Sequence, residues 1–408
     1  ETKLGNLILI SEQHGLLFHD YQTFLPIGKH SGLASSKPDG VFMDSDQRYW
    51  VWTRGHGVDL IRNPAVIRYD SNTILPSDEV LSVHTRRESA IVWLGTSRGL
   101  VGINDDPLAI LQVIPTQVKA HIEDISSFED ESLLLLTNEN SIIHFENNGT
   151  FKQWRPEGDV FQSERITDLY VSDDQQIYVG TSSGLAVFDD MKSDPTFYRK
   201  TDGLAGNYIV HISEDKNGQI LVGSDMGFSI ISDGSISSPQ DLNLNRYQSQ
   251  VRYTLAGPDG DYWLGTNQGI VRYDPTSGDT KTFNNSDGLV SVNTQSMVFS
   301  DSGDLWHATS SGVHKLHFSE DTLDYVWHYG FQESSLGMET NRQAAVSNYG
   351  TLWFGTNKGV VSYSNQFDNP ENEGPEVSIQ DISVDFLRKD DRSSKASLEL
   401  NKSIGTEK

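Results

Sequence analysis

The sequence predicts an all-β protein, a β-propeller, and three observations predict it. A short hairpin motif recurs along the whole chain. Its copies are evenly spaced, at 41 to 47 residues. Each period holds four short strand patterns and no convincing helical period with caps. A fixed period of this size with short antiparallel strands indicates blades rather than helical or leucine-rich repeats.

The motif is clearest at Leu352-Trp353-Phe354-Gly355-Thr356-Asn357-Lys358-Gly359-Val360-Val361. Trp353 and Phe354 are strand formers. Gly355 removes a side chain where another backbone must come close. Asn357-Lys358-Gly359 is turn chemistry, with Gly359 able to take a positive φ. The closing Thr aligns the copies: Thr53, Thr96, Thr137, Thr181, Ser224, Thr266, Thr309 and Thr356. Gly95, Gly180, Gly223 and Gly265 repeat Gly355, Ala308 replaces it once, and Trp52 stands there in an early copy. The copy at Leu134-Leu135-Leu136-Thr137 is degenerate, and a ninth, weaker copy lies at 7–18. Within one period, residues 165–172, 177–181, 184–189 and 196–200 read as four strands, the last more polar.

The chain has 408 residues, 36% of them apolar, with eight Trp for a large core and 35 Gly for many turns. No run of about 20 apolar residues exists, so no membrane span is expected. No signal peptide is visible and the chain does not begin with Met, so a processed or partial region of something longer is expected. The absence of Cys excludes disulfides, thiol catalysis and Cys-ligated zinc. A formal charge of −26, spread through turns, disfavours nucleic acid or any polyanion as a partner, because those need a basic stripe.

The hairpins at Trp93, Tyr178, Trp263 and Trp353 resemble the two-component regulator propeller repeat. The linking segments Asp202-Gly203-Leu204-Ala205-Gly206-Asn207 and Asp287-Gly288-Leu289-Val290-Ser291-Val292-Asn293 match that family's between-blade loop, and 30–35 is a looser version. After Tyr363 a polar, Pro-containing linker leads to an alternating stretch, and 375–386 resembles the opening of the immunoglobulin-like Y_Y_Y domain. The resemblance implies the periplasmic sensor of a hybrid histidine kinase or diguanylate cyclase, with the output enzyme outside this chain and a homodimer through the following domain.

Counting strands sets the expected domains. The first copy lacks an inner strand, and the last lacks an outer one. A propeller must close or leave open edges. If 65–70 supplies the outer strand of the last blade, copies three to nine make a seven-bladed ring over 64–365. Residues 1–63 are then partial repeats from the tail of an upstream propeller, and 366–408 the linker and a truncated Y_Y_Y domain. One ring of eight or nine blades is the alternative.

In a propeller, the loops entering the inner strands gather at one face around the axis. Equivalent residues there are Arg165, Asn207, Tyr208, Arg252, Asn293, Gln295, Asn341 and Arg342, the expected ligand-binding set. Arg suits carboxylates, and Asn and Gln pair with sugar hydroxyls. An Arg cluster in an acidic chain suggests an acidic sugar or small anion. Each residue alone also fits loop or strand-end duty. The acidic turns at 215–218, 259–261 and 301–304 lack full calcium-loop spacing. His314 and His317, three apart in a strand, face opposite ways and make a poor metal pair. Trp263, Trp306 and Trp353 recur in phase as core anchors. No metal, cofactor or catalytic residue is expected. The leading functional expectation is a sensor of a small molecule or oligosaccharide. A polysaccharide-active enzyme would need paired carboxylates at the axis, and a protein-interaction scaffold is the third reading.

Overall fold

The computed structural model describes residues 5–86, 89–105, 112–154, 164–239, 250–319, 322–329, 339–348 and 350–368. All belong to the first of two compact units, Glu1–Asn369. The alternating stretch expected to open a Y_Y_Y domain lies outside the described residues.

The chain is an all-β propeller. Seven of its sheets have four antiparallel strands each. We number these blades 1 to 7: residues 80–115, 122–154, 166–198, 209–237, 251–283, 294–329 and 340–364, the last completed by Val66–Tyr69. Val66–Tyr69 pairs antiparallel with Gly359–Ser364, Tyr69 opposite Val360 and Val66 opposite Tyr363. The seven innermost strands touch in sequence order, and that of blade 7 touches that of blade 1, closing a ring.

The recurring Thr works locally. In six hairpins its hydroxyl donates to the Gly carbonyl three residues on, as in Thr266 to Gly269 at 2.8 Å and Thr356 to Gly359 at 2.7 Å. The same oxygen accepts the backbone N–H two residues on, as from Gln268 at 3.1 Å. The recurring Gly of the second strand works between blades. A Cβ on Gly180 would lie 2.8 Å from Ile209, on Gly265 2.9 Å from the Cβ of Thr294 with its methyl closer still, and on Gly355 3.0 Å from Val80. Ile209, Thr294 and Val80 each begin the innermost strand of the next blade.

Innermost strands of neighbouring blades are also stitched by side chains. The N–H of Leu169 donates to Asp124 Oδ2 at 3.0 Å, that of Ile212 to Asp168 Oδ2 at 2.6 Å, and that of Thr254 to His211 Nδ1 at 3.1 Å. These acceptors satisfy N–H groups that no strand neighbour reaches.

Two three-stranded sheets precede the ring: Leu7–Ser11, Gly15–His19 and Phe24–Ile27, then Gly40–Met43, Tyr49–Thr53 and Gly57–Ile61. Their buried Leu16, Phe18, Tyr49 and Val51 join one core with Tyr69, Trp353 and Phe354 of the ring. The segment expected to open a linker at 366 stays docked at first. Phe367 is buried in that core, and Asn63 Nδ2 donates to Asp368 Oδ1 at 2.9 Å.

Candidate functional site

Every innermost strand has a bulge just after its first residue. The first residue presses between blades, and the extra residue is re-aimed. These extra residues are Leu81, Glu123, Thr167, Val210, Arg252, Gln295 and, in a longer irregularity, Asn341 to Ala344. Those of blades 1, 2, 3, 6 and 7 line one cavity of about 340 Å³ at the axial face. His121, Arg165, Tyr208 and Glu339, which enter or precede the strands, complete its polar wall.

Gln343 also lines the cavity. It sits at φ 53° and its amide donates across the axis to Asp168 of blade 3. Asp124 lines the cavity too, but both its oxygens accept backbone N–H groups, from Ile125 and Leu169. Burial, then the charges of Asp168 and Asp124, push the Tyr253 phenol up, so it stays protonated beside them. Tyr253 stacks on His211 at 3.9 Å.

The structure brings together Arg165, Tyr208, Gln295 and Asn341 of the expected set. Asn207 is elsewhere, its Oδ1 accepting from Lys200 N–H at 2.8 Å in the between-blade turn. Asn293 and Arg252 are not in the lining, although Arg252 holds the bulge position of blade 5. The side chain of Arg342 lies outside the described residues. Glu123, Asp124, Thr167 and Gln343 were not anticipated, because blade 2 carries the degenerate repeat and a bulge leaves no mark in a repeat alignment.

The described lining is not a positive focus. The described lining carries Glu123, Asp124 and Glu339 against Arg165, and Arg165 pairs with Glu123 at 3.7 Å. Glu339 Oε2 accepts from Asn357 Nδ2 at 3.2 Å. Inside the wall, Thr167 Oγ1 is buried with no hydrogen-bond partner among the described residues. The arrangement offers carboxylate and amide groups to a polar guest.

The histidines of blade 6 serve the fold. His314 Nε2 accepts the N–H of Val290 at 3.0 Å, and His307 Nε2 meets Thr294 Oγ1 at 2.9 Å. Among the described residues, no three His, Asp or Glu side chains are grouped to hold a metal, and no helix is long and apolar enough to cross a membrane.

No family model matches the chain, and no curated protein does. Solved structures share its fold. The extracellular domain of the hybrid two-component system BT3049 of B. thetaiotaomicron superposes with a TM-score of 0.64 at 19% identity, over 89% of this chain and 50% of that one. That of BT4673 from the same organism gives 0.58 at 16%, over 89% and 52%. The chain thus spans about half the length of these two relatives. A virginiamycin B lyase from Staphylococcus aureus gives 0.57 at 14%, over 73% of this chain and 98% of that one. The shared fold therefore includes both extracellular domains of two-component systems and an enzyme, and the reading of function has to come from the site.

Proposed function

We propose that this chain is the ligand-sensing part of an extracytoplasmic, periplasmic region of a bacterial transmembrane signalling protein. Its ligand is a neutral polyhydroxylated molecule, a glycan fragment, bound in the axial cavity. The observation that carries this is the convergence of Glu123, Thr167, Gln295 and Asn341 from four blades on one cavity of about 340 Å³. Carboxylate and amide oxygens accept from sugar hydroxyls, and Tyr208 adds an apolar face with a polar tip. Buried polar groups are costly without a partner, which favours a polar occupant. The ring over 64–365 is the sensing domain in this reading, 1–63 belongs to a preceding propeller, and 366–408 leads into the domain that relays the signal and dimerises.

An enzyme is the weaker reading. It needs a free acid and base at the axis, whereas Glu123, Asp124 and Glu339 are each engaged by a neighbour. Isothermal titration of neutral and anionic oligosaccharides against wild type, Gln295→Ala and Arg252→Ala tests the proposal. Neutral fragments should bind wild type and Arg252→Ala alike, and Gln295→Ala at least tenfold more weakly. Tighter binding of the anionic set, lost in Arg252→Ala, would restore the anion-binding alternative and overturn this one.

A further inference from the structure

Four ring blades carry Trp at the same slot of the second strand, and three of them cover it. Trp263 is stacked by Phe283 at 5.7 Å and 16°, Trp306 by Tyr329 at 5.6 Å and 16°, and Trp353 by Tyr69 at 5.8 Å and 22°. Each covering ring comes from the fourth strand of its blade. In blades 5 and 6 the residue opposite the Trp adds a cation, Arg272 at 5.7 Å from the Trp263 ring and Lys315 at 5.6 Å from the Trp306 ring. Blade 1 has neither cover. Gly102 stands opposite Trp93, and Thr116 follows the fourth strand where the stacking ring would be.

The result is a second cavity of about 370 Å³, between blades 1 and 2 and away from the axis. Trp93, Ile91, Ile114 and Leu133 form its apolar wall, Glu131, Gln117 and Asn147 lie on its polar side, and Phe145 of blade 2 meets Trp93 edge-on at 5.6 Å. Arg86 lines one side, its guanidinium donating to the carbonyl of Phe128. A guanidinium has five N–H donors, so one such bond leaves most of them for a guest. Neighbouring His84 shares its Nε2 with Ser127 Oγ at 2.9 Å.

We propose that this cavity is a second ligand site, taking a small aromatic carboxylate. The ligand's ring lies on Trp93, where blades 5, 6 and 7 place a ring of their own. Its carboxylate meets Arg86, which suits planar bidentate anions. The ring's edge meets Phe145. This site is independent of the axial one.

The test uses benzoate and cinnamate as probes, with benzyl alcohol and cinnamyl alcohol as neutral controls, titrated by calorimetry into the whole chain. Wild type should bind the acids saturably and the alcohols at least tenfold more weakly. Thr116→Phe places the missing ring in the cavity. It should abolish binding in a protein that still melts cooperatively, with the melting temperature lowered by no more than the loss of the Thr116 hydroxyl's bonds to the Leu100 carbonyl and the Val118 N–H. Arg86→Gln should bring the acids down to the level of the alcohols, and Gln295→Ala at the axis should change nothing. No saturable binding of the acids to wild type, or undiminished binding to a folded Thr116→Phe protein, overturns the proposal.

Discussion

The sheet Gly40–Met43, Tyr49–Thr53, Gly57–Ile61 and blade 5 of the ring are built from the same repeat, yet equivalent residues meet opposite surroundings. Trp50 is 38% exposed, whereas Trp263 at the same slot is 4% exposed. Trp52 takes the slot of Gly265 and is 44% exposed, lying over Gly40. Thr53 has a hydroxyl with no partner among the described residues, whereas Thr266 caps its hairpin at 2.8 Å. The lesson is that two of the three conserved slots answer to a neighbour, and only the third to the hairpin itself. Where the next blade presses, five of the seven blades hold Gly, with Ala308 and Leu136 buried in the slot of the other two. Where none presses, an indole fits. With Phe42, Val58 and Leu60, the exposed Trp50 and Trp52 form an apolar face, and any sheet covering it would have to stand off by the thickness of an indole.

The largest expected effect separates the two regions at their joint. Val66–Tyr69 is the outer strand of blade 7, with Ile67 and Tyr69 buried. A chain starting at residue 64 should keep a cooperative melt. One starting at 71 loses the closing strand, its ladder and the burial of those side chains, worth roughly 5 kcal/mol at about 2 kcal/mol per large side chain. Equal melting of the two truncations would show that the ring does not depend on that strand.

Acid should act on the ring next. Burial and the charge of His328 hold His314 down, to about 4, and burial holds His307 well below its ordinary range. Burial, helped by Arg86, holds His84 at about 4. Each is neutral when folded, and the unfolded chain takes up protons below pH 6.5. Their stabilisation is therefore complete above pH 6.5 and is lost as pH falls towards 4. For His314 this amounts to about 3 kcal/mol. Melting temperature against pH should fall through that window, and less steeply in His314→Gln. An identical slope in the variant would remove His314 from the account.

Much of this was legible in the sequence, for a definable reason. The slots of Gly355, Thr356 and Trp353 recur because most blades repeat the same contact, with Gly in five ring blades and Trp in four, so one chain supplies several independent examples. The need for 65–70 to complete the last blade followed from counting strands. The axial cavity was only half legible. Arg165 and Tyr208 enter the strands as loop residues, and Gln295 and Asn341 happen to be bulge residues. Asn207 and Asn293 do not reach the lining, since loop position alone does not aim a side chain. Glu123 and Gln343 depend on the bulge and on a positive φ, which arise from packing between blades and have no sequence mark of their own.

The Gly slot offers a sharper contrast at smaller cost. Gly265→Val places its Cβ 2.9 Å from that of Thr294, in a seam with no room to relax. Overpacking of this kind costs about 1–3 kcal/mol. Trp52→Val, in the same slot of the preceding sheet, should cost under about 1 kcal/mol, as expected for a half-exposed side chain. Thermal melts of both variants check this. Equal losses would mean that the slot is fixed by the hairpin rather than by the neighbouring blade.

The smallest effect is the most discriminating, because its sign changes between the regions. Thr266 Oγ1 donates to Gly269 and accepts from Gln268 N–H, and it is fully buried. Thr266→Val keeps the shape but leaves that carbonyl and that N–H without their partner, at about 1–2 kcal/mol. Thr53 is also buried, but its turn runs through Gly55 and Gly57, and the N–H of His56 donates to its backbone carbonyl at 3.0 Å, leaving the hydroxyl unpaired. Thr53→Val removes a desolvated hydroxyl that has nothing to lose. It should be neutral or stabilising by up to about 1 kcal/mol. Denaturant melts of the two variants resolve a difference of this size. If Thr53→Val is destabilised as much as Thr266→Val, the Thr53 hydroxyl has a partner after all, and the sheet is closer to a ring blade than its exposed tryptophans indicate.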